Sequence, residues 1–428
     1  MAQDKKFNIS QLFAEANSGV VEEVPVPEPV SGDVSQDETP KFPKIEISRV
    51  KFNATHPNVD IEKKKEYLSE LMKYIVKYDM APFYEELCKE FGIELDDNVL
   101  KAMQEKNEKR LDIYTRELED AEVNLGETEV RQALQKRAEY LCQIGHKQKA
   151  VDAFNATFEK TVGSGLKIDI VFCLVRMGFF FQDAAMIEDN ITRAKKLIEE
   201  GGDWERKNRL RSYEAIYELG NREYEKAADL FVAAVPTFSA YELMSYEDLV
   251  FYTILSTMAS MPRRRLYDKV INCNDVQEQI NYVSTPKNGH TICAGKFLVS
   301  LYECNYDSYL KILCELEDVH IVMDPYMKEH THHYSRLMRQ RAYEQFLHPY
   351  ASIKVSMMAA SFGIPKLILD AELHEMAAAG LLNCRIDSVE GNVIMHIANK
   401  KTTLFKQLVK EGDVVINRMQ KLSSVIYN

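Results

Sequence analysis

His330, His332 and His333 form the densest histidine cluster in the chain. Imidazoles so close together are the residue type that holds zinc, and zinc would bring hydrolytic chemistry. A metalloprotease of the His-x-His kind needs an aspartate shortly beyond, but after His332 the next aspartate is Asp370. No His-Glu-x-x-His occurs either. The cluster therefore reads as surface histidines at the entry to a helix. Gly163-Ser164-Gly165 is too short to cradle a phosphate, and no strand pattern precedes it. There is no Gly-x-Ser-x-Gly elbow, and no pair of carboxylates stands out from ordinary helix surface. Eight cysteines, Cys88, Cys142, Cys173, Cys273, Cys293, Cys304, Cys314 and Cys384, are scattered without Cys-x-x-Cys spacing. That argues against a zinc knuckle or a redox pair and fits reduced thiols of the cytoplasm or nucleus. No residue is assigned a catalytic, cofactor-binding or metal-ligating role, and no cofactor is expected.

Charge narrows the partners. The 428 residues carry a net charge of -12, a poor match for a protein whose task is gripping phosphates. The basic clusters, Arg206 to Arg211, Arg263-Arg264-Arg265, and Arg336 with Arg339 and Arg341, are short and read as surface charge or ion pairs between helices. No direct nucleic-acid contact is expected. The start of the chain lacks the apolar core of a signal peptide, and no apolar run is long enough to span a bilayer, so no membrane association is expected.

The elements around these residues are almost all helical. Thirteen prolines and 17 glycines are few for this length. Apolar stripes with helical spacing begin near Asp60, where Leu68, Leu71, Met72, Ile75 and Val76 share a face. The mixed charges from Lys106 to Leu125 suit a long solvated helix. Ala150, Phe154 and Thr157 have the same spacing as Ala227, Phe231 and Ala234, with Gly145 and Asn221 near the preceding turns. Small residues let helices approach and the aromatic fills the gap, the logic of tetratricopeptide-like pairs. A middle copy lies around Ala194 and Ile198. Residues 352–362 and 365–379 read as two short helices closed by Gly363 and Gly380.

The period then changes. Residues 381–397 alternate around Glu390-Gly391-Asn392, a strand-turn-strand signal, and a last helix follows. The fold class is mainly α: a tetratricopeptide-like helical repeat array, then a winged-helix module and a C-terminal helix. The expected boundaries are 1–59, a mostly flexible acidic tail rich in proline; 60–345, the repeat array; 346–401, the winged helix; and 402–428, an assembly helix. The segment Pro365 to Ala379, where a winged helix would read DNA, is net negative, which again disfavours DNA.

Two surfaces stand out as partner-binding. In the last helix Leu404, Leu408, Val415, Met419, Leu422 and Ile426, with Phe405, Val409, Val414, Ile416 and Val425, exceed one amphipathic stripe. A helix apolar on several sides is covered by several neighbours. In the second hairpin strand Val393, Met395 and Ile397 lie opposite other apolar residues, so an open edge there would pair with a neighbour's strand.

Particular blocks also carry a resemblance. Residues 164–183 (SGLKIDIVFCLVRMGFFFQD), 201–217 (GGDWERKNRLRSYEAIY, with the only tryptophan, Trp204) and 117–133 (ELEDAEVNLGETEVRQA) resemble the PCI-type lid subunits of the 26S proteasome regulatory particle. ASFGIPKLILDAEL is shared more loosely across PCI proteins, and FLHPYASIK leans toward the first subunit of the COP9 signalosome. The resemblance covers about Asp60 to the C-terminus. It implies a non-catalytic scaffold whose winged helix stacks with those of other PCI lid subunits and whose last helix joins a bundle. It also implies association with the lid deubiquitinase subunits and the ATPase ring, in cytoplasm and nucleus. The signalosome subunit and a PCI translation-initiation scaffold are the alternatives, and a metal hydrolase using the histidines is the rival from another class.

Overall fold

The structure, a computed structural model, describes residues 41–427 apart from 58, 60, 92–95, 282–288 and 396–399. In chain order its helices are α1 (Ile45–Thr55), α2 (Ile61–Lys77), α3 (Ala81–Phe91), α4 (Asp97–Asn124), α5 (Glu127–Gln143), α6 (Lys147–Lys160), α7 (Ser164–Phe181), α8 (Ala184–Gly201), α9 (Trp204–Gly220), α10 (Tyr224–Ala234), α11 (Tyr246–Ser260), α12 (Arg263–Leu266), α13 (Asn274–Asn281), α14 (Gly289–Tyr302), α15 (Tyr306–Glu315) and α16 (Thr331–Leu347). Then come β1 (Ser352–Lys354), α17 (Val355–Phe362), α18 (Lys366–Ala378), β2 (Cys384–Asp387), β3 (Asn392–Met395) and α19 (Lys400–Tyr427). Packing divides the chain into two compact units, residues 1–295 with 315–331, and residues 296–314 with 332–428. The second unit thus takes in more chain than a winged helix starting at 346.

In the first unit the repeat is written in the turns. Asp79, Gly145, Gln182 and Arg222 adopt left-handed φ of 50°, 80°, 55° and 65°. In each turn the next N–H donates back to a carbonyl at the end of the first helix: Met80 to Ile75 (3.0 Å), His146 to Leu141 (3.1 Å), Asp183 to Gly178 (2.9 Å) and Glu223 to Glu218 (3.0 Å). This is the Schellman closure, which satisfies carbonyls the helix end would leave orphaned. Only one of the four is glycine, though a left-handed L-residue costs roughly 1–2 kcal/mol. Gly145 is constrained twice, because a Cβ there would also come within 2.9 Å of Phe83 Cβ.

The expected small-aromatic-small positions are buried: Ala150, Phe154 and Thr157 on α6, and Ala227, Phe231 and Ala234 on α10. The middle copy on α8 aligns as Ile187, Ile191 and Ala194, all buried. Ile198 falls outside that register and is half-buried. Ile187 is tolerated at the small position because Gly178 faces it from α7: a Cβ on Gly178 would meet Ile187 Cγ1 at 2.6 Å. The small residue has moved to the partner helix.

Residues 41–55 depart from the expected tail. The first 40 residues lie outside the described ones, but α1 buries Ile45 and Ile47 and packs on α2 and α7. Three carboxylates, Asp248, Asp324 and Glu242, fasten this segment. Asp248 caps α11 in a reciprocal box with Ser245 and also receives Arg49 Nη1 at 2.7 Å. Burial opposes its charge, yet His290 and Arg49 outweigh that and hold its pKa far below the usual carboxylate range. Arg49 also donates to Tyr252, whose hydroxyl donates to Asp324 at 2.5 Å. Burial pushes Asp324 up despite Arg49 and that hydroxyl. Glu242 gathers Tyr213 at 3.1 Å, Arg209 at 3.5 Å, Arg176 at 3.7 Å and Lys41 at 3.9 Å. The segment lacks a helical stripe in sequence because α1 is anchored by these polar contacts as much as by apolar ones.

In the second unit an aromatic knot forms the core. Phe362 meets Tyr306, Tyr343 and Phe346 at ring separations of 4.8, 5.0 and 5.4 Å. Tyr343 and Arg339 both donate to Glu372, at 2.6 and 2.5 Å, tying α16 to α18. Gly363 closes α17 at φ 66°, where a Cβ would collide with the Asp307 carboxylate. Pro365 stands at the cap of α18, one residue before its first turn, and Gly380 ends that helix at φ 72°.

Candidate assembly interface

The hairpin is present, and it is one part of a three-stranded sheet ordered β1-β3-β2. Residues Ser352–Lys354, expected to open a helix, instead pair with β3. This corrects the proposed docking edge. β3 is the central strand: Ile353 and Ile386 flank Val393 from either side. Met395 N–H donates to Ala351 at 3.0 Å. Val393 is fully buried in this unit and Met395 is half-buried. Neither presents a free edge, and Ile397 lies outside the described residues. Its central place fills both hydrogen-bonding edges of β3, while of its two faces one buries Val393 and the other leaves Ile394 46% exposed.

The C-terminal helix is different. At about 3.6 residues per turn, Leu404, Leu408, Val415, Met419 and Leu422 fall on one face of α19, and Phe405, Val409 and Ile416 on the adjoining one. Val414 and Val425 lie on its other side, past Glu411 and Arg418. Lys406, Lys410, Asp413 and Asn417 occupy the remainder. All of the apolar side chains named are exposed, from 44% at Val409 to 76% at Val425. The side chain of Ile426 is outside the described residues. Exposed apolar surface on this scale is uncommon on a chain that stands alone. A shorter exposed set was missed in sequence: Leu367 and Ile368 on α18 are exposed while Leu369 beside them is buried. The signal was three consecutive apolar residues on a helix that can bury only one face.

The residues first considered for chemistry serve the scaffold. His330 accepts from Arg222 Nε through Nδ1 at 2.8 Å, and its Nε2 contacts the Gly220 carbonyl at 2.6 Å. Both ring nitrogens thus lock the turn between α9 and α10. Arg206 forks onto Asp169 at 2.8 and 3.1 Å, Arg209 meets Glu205 at 2.9 Å, and Arg336 meets Glu375 at 2.9 Å. Arg206, Arg209, Arg336 and Arg339 are thus neutralised between and along helices. Among the described residues no helix is long and apolar enough to cross a membrane, and no group of three histidine, cysteine or acidic side chains is placed to hold a metal ion.

Comparison with known proteins follows the same lines. A family model described as 26S proteasome subunit RPN7 matches residues 96–269, and the PCI domain model matches 316–397. The 26S proteasome non-ATPase regulatory subunit 6 of Caenorhabditis elegans is 47% identical over 395 residues, covering 92% of this chain and 96% of that protein. The chain belongs to the RPN7 family of 26S proteasome regulatory subunits. Its Arabidopsis thaliana relative, a subunit 6 homolog, is 38% identical over 90% of this chain and 97% of its own. The regulatory subunit RPN7 of Saccharomyces cerevisiae is 30% identical over 90% and 94%. Within this RPN7-family chain the repeat blocks α5 to α10 fall in the first match, and the three-stranded sheet falls in the PCI match. Helix α19 begins just past the PCI match.

Proposed function

We propose that this chain is a non-catalytic structural subunit of the 26S proteasome regulatory particle lid. In this reading its helical array and PCI module support lid assembly, and through it the ATP-dependent degradation of ubiquitylated proteins. The match along nine-tenths of the chain to proteins named as 26S regulatory subunits carries the reading. The exposed apolar arc of α19 supports it, because such a helix needs partners. Burying side chains of that kind yields roughly 1.5–3 kcal/mol each, so a few of them suffice to hold a subunit in a complex. The partner-binding residues are Leu404, Leu408, Val415, Met419, Leu422 and Ile426. The partners are other PCI lid subunits, with the deubiquitinase subunits and the ATPase ring in the same particle, in cytoplasm and nucleus.

Affinity purification of the full chain with mass spectrometry is the test. Co-purified proteasome ATPases and lid subunits are the expected result. Recovery of cullin-regulating signalosome subunits or of ribosomal initiation factors instead would overturn the assignment. A hydrolytic activity of the purified chain, lost on replacing His330, would overturn the non-catalytic reading.

A further inference from the structure

Between Ser18 and Pro40 the chain carries Glu22, Glu23, Glu28, Asp33, Asp37 and Glu38 and no lysine or arginine. This segment joins the described structure at Lys41, whose neighbour Phe42 packs at the C-terminal end of α2. Phe42 meets the Tyr78 ring edge-on at 5.4 Å, and Lys44 Nζ lies 5.3 Å from the centre of that ring. On α2 itself Lys65, Ser69, Lys73 and Lys77 recur at every fourth residue, which aligns them in one column. Together with Tyr74 they line an open groove of about 730 Å³. Glu66 and Glu70 stand in the neighbouring column. Lys73 and Lys77 are exposed, and among the described residues neither is held by a carboxylate; Lys77 Nζ sits 5.7 Å from the Tyr78 ring.

We propose that residues 18–40 of this same chain dock in cis along the Lys65 to Lys77 face of α2, their carboxylates on Lys73 and Lys77. Three observations favour this occupant over any other. The charges are complementary. The segment arrives at the C-terminal end of that face. It is also long enough: the face spans about 18 Å at 1.5 Å per residue, which about six residues of extended chain cover. Tethering supplies the rest, since a short flexible linker presents its ligand at an effective concentration on the order of millimolar. Pairings that hold a free peptide only weakly then suffice to keep the groove occupied. The consequence is a self-occupied basic face, open to an outside acidic segment only by competition.

Carbodiimide coupling of the full chain, read by mass spectrometry, tests this directly. Amide links from the six tail carboxylates to Lys73 and Lys77 are expected, intramolecular in a mixture of isotope-labelled and unlabelled chains. They should weaken as salt shortens the Debye length below about 8 Å. Lys73→Glu with Lys77→Glu should abolish the links, and converting the six acids to lysine in that background should restore coupling at the same two positions. Both lysines are exposed, so unchanged helical circular dichroism is expected of these variants. No links, links indifferent to the lysine reversal, or links only between different chains would each overturn docking in cis. In a second measurement a synthetic peptide of residues 18–40 should bind a full chain whose six tail acids are neutralised about tenfold more tightly than it binds the native chain. Equal affinity would overturn the proposal, because the groove would then stand open to an acidic partner.

Discussion

Helices α7 and α19 are both apolar on more than one side, and they end in opposite environments. Helix α7 buries Ile168, Val171, Phe172, Val175 and Met177 almost completely, while α19 leaves Leu404, Leu408 and Met419 each 66% exposed. Around α7 the chain itself supplies the covering: α8 and α9 pack on it, α1 lies over it, and Phe172 stacks on Tyr213 with ring centroids 5.3 Å apart. Around α19 it supplies none for the residues named. Apolarity on several faces therefore forecasts that a helix will be covered and leaves open by which molecule. The polar complement makes the same distinction. The one charged side chain of α7 that is deeply buried, Arg176, is met by Glu242 at 3.7 Å, whereas the described charged side chains of α19 are all exposed.

The comparison breaks most readily inside α7. Phe172→Ala removes a fully covered ring from a helix with no room to collapse. It should cost about 3–5 kcal/mol, read as a lower urea midpoint for the first unit. A loss under about 1 kcal/mol would mean that α7 is not the packed centre described here. The cover that α1 lays over α7 gives the next effect. Asp248→Asn leaves Arg49 without its charge partner, and hydrogen bonds to charged groups contribute about 1.5–3 kcal/mol. Asp248 is held below its unfolded pKa, so its contribution is present above about pH 4 and is lost as pH falls through the folded value. The gap in stability between the native chain and Asp248→Asn should persist from pH 7 down to about pH 4 and close only below that. Asp324 is raised by burial and acts in the opposite sense, and because Arg49 faces both carboxylates the comparison is made in an Asp324→Asn background. A gap that closes on raising the pH would contradict the clasp.

A third substitution tests the central strand. Met395→Pro would remove the N–H that Ala351 accepts and orphan that carbonyl, at about 1–3 kcal/mol. Because β3 has a strand on each side, the damage should appear in the isolated chain as lower stability of the second unit. Had β3 been an open edge, the same proline would have spared the monomer and harmed only assembly.

Helical periodicity made the array legible, and the switch to alternation at Leu381 located the hairpin. The small-aromatic-small spacing found two repeat pairs. It placed the middle copy only loosely, around Ala194, because the Schellman turn closed by Gln182 carries no glycine and because Gly178 on the facing helix lets Ile187 stand where a small residue was sought. Helix α1 escaped notice for a related reason: Arg49 and Ser48 are anchored by polar contacts at long sequence separation, to Asp248, Tyr252 and the Phe180 carbonyl. Strand β1 is too short, at Ser352–Lys354, to show a period. Its pairing with β3 is a tertiary fact, and it turned an apparent edge into a sheet centre. The apolar arc of α19 was legible residue by residue, because exposure does not alter what the sequence places on a helix face.

The smallest effect on the monomer belongs to α19, and there the comparison is sharpest. Leu408 lies on the face shared with Leu404, Val415 and Met419 and is 66% exposed. Leu408→Asp should change the stability of the isolated chain by no more than about 0.5 kcal/mol, as surface substitutions do. Helix α7 allows no such substitution. In a complex the same aspartate would sit desolvated among apolar partners, at a cost of several kcal/mol, so incorporation into a larger assembly should fall sharply. Truncation after Gly412 removes Val415, Met419 and Leu422 together and should abolish it while leaving a folded monomer. Native gels of reconstituted assemblies, run beside urea denaturation of the free chain, read both quantities. Normal incorporation of Leu408→Asp would show that this face meets solvent in the complex as well. A destabilised free chain would show that α19 is packed in cis after all, as α7 is.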